Sequence, residues 1–224
     1  MKAKTELRDN AGPAIPGTSG APGHTRDIKV LLFQAAWMAI MLGIVIQVLL
    51  ALVRLANFSG FEAITEQLLA KVAWSFVVCV GLAVGLGVSQ GNPPATGLAG
   101  MLAAPLAFNI ARGLHKGTAE LLGTGDAAGD ADPFISAVLR GTQYLLLGLL
   151  VAWLSGRQAS GLLQHVGLGL LLGLVFGGAI LLLTPGATLS PLALISWGIN
   201  ELLFPIGCSI VLFVSDTLAK RLPT

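Results

Sequence analysis

The sequence predicts an all-α polytopic membrane protein with about six transmembrane helices. Three observations predict it. Of 224 residues, 54% are hydrophobic and only 11% charged, whereas a soluble domain carries about 25% charged residues. The mean hydropathy of the chain is +0.82. The apolar residues also fall into six separate runs, each near the length of about 20 residues that a bilayer demands.

The same arithmetic excludes other classes. Charges are too few to solvate a globular surface, so a water-soluble enzyme is excluded. Disorder needs low hydrophobicity and high net charge, and the net charge is +2. That balance, with dispersed basic residues, gives no footprint for nucleic acid. The bilayer is the expected partner. The two cysteines, Cys79 and Cys208, sit in apolar runs, where a thiol packs as a small hydrophobe. No second Cys or His stands at ligand spacing, so no metal is expected. His115 and His165 fall toward opposite faces of a six-span bundle, so no haem-like axial pair and no cofactor are expected.

Residues 1–28 read as a polar tail carrying Pro13, Pro16 and Pro22 among Gly, Ser and scattered charges. No cleavage pattern follows the first apolar run, so that run is expected to remain as an anchor. The membrane domain covers 29–224. Span one is Val30–Val53, and span two is Val72–Gln90. Between them Phe58, Phe61, Ile64, Leu68 and Leu69 alternate with Glu62, Glu66 and Gln67, a spacing that predicts a short interfacial helix.

Asn92-Pro93-Pro94 makes a tight turn into span three, which is apolar from Ala95 to Ala111. The clean run ends there, which favours a span that stops with Arg112 snorkelling to the headgroups. The alternative is a helix running to Leu122, with Asn109, Arg112, Lys116 and Glu120 on one face. An acidic loop (Asp126, Asp130, Asp132) precedes span four, Phe134–Leu154, near whose start Arg140 reads as an interface marker. Span five is Leu162–Leu183, Thr184-Pro185-Gly186 turns the chain, and span six is Pro191–Val214.

Six spans put both termini on one side. Lys2, Lys4, Arg8, Arg26, Lys29, Arg157, Lys220 and Arg221 lie there, against Arg54, Lys71, Arg112, Lys116 and Arg140 opposite. Eight against five favours cytoplasmic termini in an inner membrane by the positive-inside rule, whereas near the membrane alone Arg26, Lys29, Arg157, Lys220 and Arg221 tie with the other five.

Laying residue 81 on 173 gives six identities in sixteen positions, and a one-residue gap then aligns Asn109 with Asn200. Three spans per half make such a duplication inverted, the plan on which many transporters place a midplane site. The halves would be 29–122 and 134–218. Chance matching of Gly- and Leu-rich spans is the competing reading. Gly81 and Gly85 lie one turn apart in span two, as do Gly169, Gly173 and Gly177 in span five. Glycine at this spacing lets helices approach closely. Packing inside the protomer is favoured over a homodimer seam.

Ionisable residues inside a span mark function by default. Glu201 falls about ten residues into span six, after Ser196 and Asn200 and four residues before Pro205. Pro205 removes the hydrogen bond to the Glu201 carbonyl. Glu201 reads equally as a proton, ion or counter-charge site and as a packing residue. Arg112 is its expected partner. No nucleophile–base cluster or nucleotide motif occurs, so enzymatic activity is not expected. The leading expectation is a transporter or channel for a small solute or ion. Its path would run between spans three and six, lined by Asn109, Arg112, Asn200 and Glu201. The alternative is a non-catalytic scaffold or assembly subunit of a membrane complex.

Overall fold

Asp27 starts the first helix of the computed structural model, which describes residues 27–55, 62–122, 133–157, 160–183 and 191–221. Its Oδ1 accepts from the N–H groups of Lys29 at 2.9 Å and Val30 at 3.3 Å. That satisfies two of the amide donors a helix start leaves open. The helices are α1 (Ile28–Leu55), α2 (Glu62–Val88), α3 (Pro93–Leu122), α4 (Pro133–Ser155), α5 (Leu162–Leu183) and α6 (Pro191–Arg221). All six are long and apolar enough to cross a membrane, and no strand occurs among the described residues. The expected all-helical, six-span class is the one found.

Proline opens α3, α4 and α6, at a position where its missing N–H has no helical partner to lose. The α2–α3 turn is closed by backbone geometry. The Gly91 N–H donates to the Leu86 carbonyl at 2.9 Å and the Gln90 N–H to Gly87 at 3.2 Å. Gln90 and Gly91 both take positive φ, 52° and 83°, the left-handed stop that satisfies carbonyls at a helix end.

Two boundaries differ from expectation. The separate interfacial helix is not found; from Glu62 onward those residues are the first turns of α2. Helix α3 does not stop at Arg112 but continues unbroken to Leu122. At about 1.5 Å per residue it is longer than a hydrocarbon core of about 30 Å, so its polar last turns need not be apolar. The tail through residue 26, Phe58, Phe61, the acidic loop and the Thr184-Pro185-Gly186 turn lie outside the described residues.

Among the described residues α2, like α4 and α6, touches four other helices (α1, α3, α4 and α6), whereas α5 touches only α4 and α6. The two halves are therefore not used alike, because α2 and α5 would be counterparts in an inverted repeat. The core is built from Leu31, Ala35, Ala39 and Ile46 of α1, Val78, Leu82 and Leu86 of α2, Ala104 and Ala107 of α3, Tyr144, Leu147 and Val151 of α4, and Leu212 of α6.

Lipid is as apolar as these side chains, so close backbone contact has to supply the attraction. A Cβ on Gly85 would lie 3.1 Å from the Thr96 Cα, and one on Gly81 would collide with the Ala103 Cβ, so both hold α2 against α3. The three α5 glycines face α6. A Cβ would lie 2.5 Å from the Ile206 Cα at Gly169, 2.8 Å from the Glu201 carbonyl oxygen at Gly173 and 2.7 Å from the Glu201 Cβ at Gly177. This seam lies inside the protomer. Gly97 and Gly148 do the same between α3 and α4, a contact that spacing alone did not pick out.

Candidate functional site: a cationic cavity between α2, α3, α4 and α6

Among the described residues no Cα of α3 lies within 8 Å of one of α6. The space between them is a cavity of about 200 Å³, several times the share of liquid volume of one water, about 30 Å³. Each flanking helix lends one stripe. From α3 come Phe108, Ala111, Arg112 and His115, at spacings that share one face of a helix. From α6 come Asn200, Glu201 and Phe204, from α2 Ala70, Lys71 and Trp74, and from α4 Arg140. These lie early in α2, α4 and α6 and late in α3, so the cavity occupies the half of the bundle remote from residue 27.

Arg140 and Glu201 form the centre. Arg140 Nη1 donates to Glu201 Oε2 at 3.1 Å and Nη2 to Oε1 at 2.7 Å. This is the two-pronged fit of a guanidinium on a carboxylate. Their side chains are 20% and 10% exposed. The Arg140 guanidinium also lies 5.1 Å from the centroid of the Trp74 ring, close enough for attraction to the aromatic face. Trp74 in turn meets Tyr144 edge-on at 6.1 Å. A stack of Tyr144, Trp74 and Glu201 thus fixes one cation in place. Lys71 holds its ammonium 5.9 Å from the Phe204 centroid.

The expectation that Arg112 pairs with Glu201 is corrected: Arg140 is the partner. Arg112 lines the same cavity from α3, but both Glu201 oxygens are taken by Arg140. Asn200 also lines it, donating Nδ2 to the Ser196 carbonyl at 3.1 Å, while its Oδ1 is buried without a protein donor. Asn109 does not belong to the lining. It is exposed on α3 beside Leu102, Leu106 and Ile110 and donates Nδ2 to the Pro105 carbonyl at 2.9 Å. The two asparagines matched in the self-alignment therefore make the same backward bond in different surroundings.

No family model, curated protein or solved structure matches this chain. The site therefore rests on its own geometry.

The missed residues are Arg140, Lys71 and Trp74. A signal for Arg140 exists, because Tyr144, Leu147 and Val151 follow it along one helix face and all are buried. An arginine heading a core face points inward. Lys71 and Trp74 are likewise one turn apart.

Among the described residues that line the cavity, Lys71, Arg112 and Arg140 are basic and Glu201 is acidic. Below the cavity, Gln143 is fully buried, and neither side-chain polar atom has a protein partner. Among the described residues no group of His, Cys, Asp and Glu has the arrangement of a metal site. Cys79 and Cys208 are buried free thiols.

Proposed function

We propose that this chain is an integral membrane transporter or channel for a small solute or ion, with the cavity between α3 and α6 as its binding site. One observation carries the reading. Glu201, Arg140, Arg112 and Asn200 lie within apolar helices and all four line a cavity rather than aliphatic neighbours. A charge at the bilayer centre costs about 2.5–3.5 kcal/mol on insertion scales. Packing alone does not require that cost, because apolar residues of similar volume hold helices at least as well as a buried ion pair.

Asn109 drops out of the path, and Arg140 joins Arg112, Asn200 and Glu201 in it. With both termini in the cytoplasm of an inner membrane, the cavity serves the non-cytoplasmic side. In this reading Glu201 releases Arg140 when solute or a proton takes its place. The inverted repeat rests on the sequence self-match, and the transport reading does not depend on it.

The test is flux into proteoliposomes, assayed with a panel of small organic and inorganic solutes. Glu201→Gln is expected to abolish flux while the protein still elutes as one species with unchanged helicity. Unchanged flux in that variant overturns the proposal. Absence of flux for every solute, with partner proteins retained through mild-detergent purification, assigns the chain to a membrane complex as a scaffold instead.

A further inference from the structure

We infer that the cavity takes an oxyanion, a carboxylate or a phosphate, with the Arg112 guanidinium as its anchor. The inference rests on the reading of the cavity as a solute site and adds the substrate class.

Charge makes the first argument. Both Glu201 oxygens are engaged by Arg140, so the one carboxylate among the described lining residues already has its counter-ion. Arg112 lines the same space, is half-buried, and makes no ion pair or side-chain hydrogen bond among the described residues. An arginine does not shed its proton in a protein, so the site holds a fixed positive charge. A neutral or cationic solute leaves that charge uncompensated, and an anion offsets it.

Shape makes the second. A guanidinium presents parallel N–H donors that match two oxygens of a carboxylate or phosphate, as a lysine does not. Arg112 lies two-thirds of the way along α3, ten residues before its end at Leu122, so its backbone is built into the wall. The buried Asn200 Oδ1 lacks a protein donor. A protonated phosphate oxygen, or a hydroxyl on a carboxylate-bearing solute, supplies one. Trp74, Phe108 and Phe204 form the apolar remainder of the wall, which suits a small solute with an anionic head.

A free oxyanion and the phosphate of a lipid headgroup share this chemistry, and one experiment separates them. Trp74 lines the cavity beneath Arg140 and reports on it. A variant with Trp37, Trp153 and Trp197 changed to Phe leaves Trp74 as the only tryptophan. It is placed in nanodiscs of phosphatidylcholine alone and titrated with sodium phosphate and with sodium succinate, at ionic strength held constant with sodium chloride. A saturable change in Trp74 emission is expected for at least one of the two. Arg112→Gln should shift its midpoint at least tenfold, and Lys116→Gln, exposed one turn further along α3, should leave it unchanged.

If the change appears only when phosphatidylglycerol is added, and Arg112→Gln removes it, the oxyanion is a lipid headgroup and the site stands. If Arg112→Gln does not fold, Arg112→Lys gives the same reading: a weaker midpoint supports the anchor and an unchanged one overturns it. No response to any of these anions, or an equal response to glycerol or choline, also overturns the inference. Anion binding without flux removes the transporter reading and leaves the site. Flux of a neutral or cationic solute without anion binding does the reverse.

Discussion

The Arg140 guanidinium grips both oxygens of the Glu201 carboxylate across the α4–α6 interface, at 3.1 and 2.7 Å. Removing one member of a buried pair leaves the other charge uncompensated, at a cost of about 3–5 kcal/mol. Arg140→Met should therefore destabilise the protein by about that amount, and it also removes the contact with Trp74. Glu201→Gln should cost less, because the amide oxygen still accepts one Arg140 N–H. The double variant, Arg140→Met with Glu201→Leu, should recover much of the loss, since an apolar replacement of both members is often neutral. Unfolding by denaturant in detergent, followed by circular dichroism, measures all three. A cost for the double variant equal to the sum of the two single costs would mean that the pair is not coupled.

The α5–α6 seam gives a second expectation. Gly173 stands against the Glu201 carbonyl, the group that Pro205 leaves without its helical donor. A Cβ there meets backbone, which cannot swing aside as a side-chain tip can. Gly173→Ala should destabilise by about 1–3 kcal/mol, the usual cost of overpacking. Gly178→Ala, on the same helix with nothing within 4 Å of its Cβ position, should be neutral, or stabilising by about 0.5–1 kcal/mol through helix propensity. The ordering of the two melting temperatures is the measurement, and a reversed order would contradict the seam.

Much of the fold was legible because bilayer thickness is a length rule, and the six apolar runs obey it. The two boundary differences have one physical origin. Residues Glu62–Lys71 and Arg112–Leu122 mix polar and apolar side chains, so hydropathy falls before the helix ends. Glu201, Asn200 and Arg112 were legible as buried or half-buried polar groups in or beside apolar runs. The pairing of Glu201 was not. Which arginine reaches it depends on how α3, α4 and α6 are rotated and spaced, and that is set by contacts such as Gly148 against the Thr96 carbonyl, 2.6 Å from a Cβ position. Periodicity on a single helix carries no such information. Asn109 failed for the same reason: its spacing to Arg112 is helical, but the α3 face it occupies is turned outward.

Gln143 yields a third prediction. It is fully buried, one turn along α4 from Arg140, and neither its Oε1 nor its Nε2 has a protein partner. A buried polar group left unsatisfied costs about 1–3 kcal/mol, and an apolar group of similar shape escapes that cost. Gln143→Met should raise stability by about 1 kcal/mol. Thermal unfolding in the same detergent checks it, and a loss of 1 kcal/mol or more would show that the amide is held by interactions that packing with methionine cannot replace.

Thiol labelling separates the wetted wall from the lipid face. A maleimide reacts with the thiolate, which forms only where water reaches the sulfur. Cys79 and Cys208 are buried at 0% and 1% exposure, so the native wild-type protein should resist a membrane-impermeant maleimide and give no background. Arg112→Cys and Asn200→Cys place the thiol in the cavity wall and should react. Asn109→Cys lies among Leu102, Leu106 and Ile110, which are 73%, 56% and 38% exposed on the outer face of α3, and should not react in a bilayer although Asn109 is more exposed than Arg112 and Asn200. Exposure of the protein surface and access to water thus predict opposite orders for these positions. Prior occupation of the cavity by phosphate or succinate should slow labelling at Asn200→Cys, where Arg112 is intact, and leave Lys116→Cys untouched. Labelling of Asn109→Cys as fast as Asn200→Cys would place water on the wrong face of α3 and remove the cavity as the aqueous route.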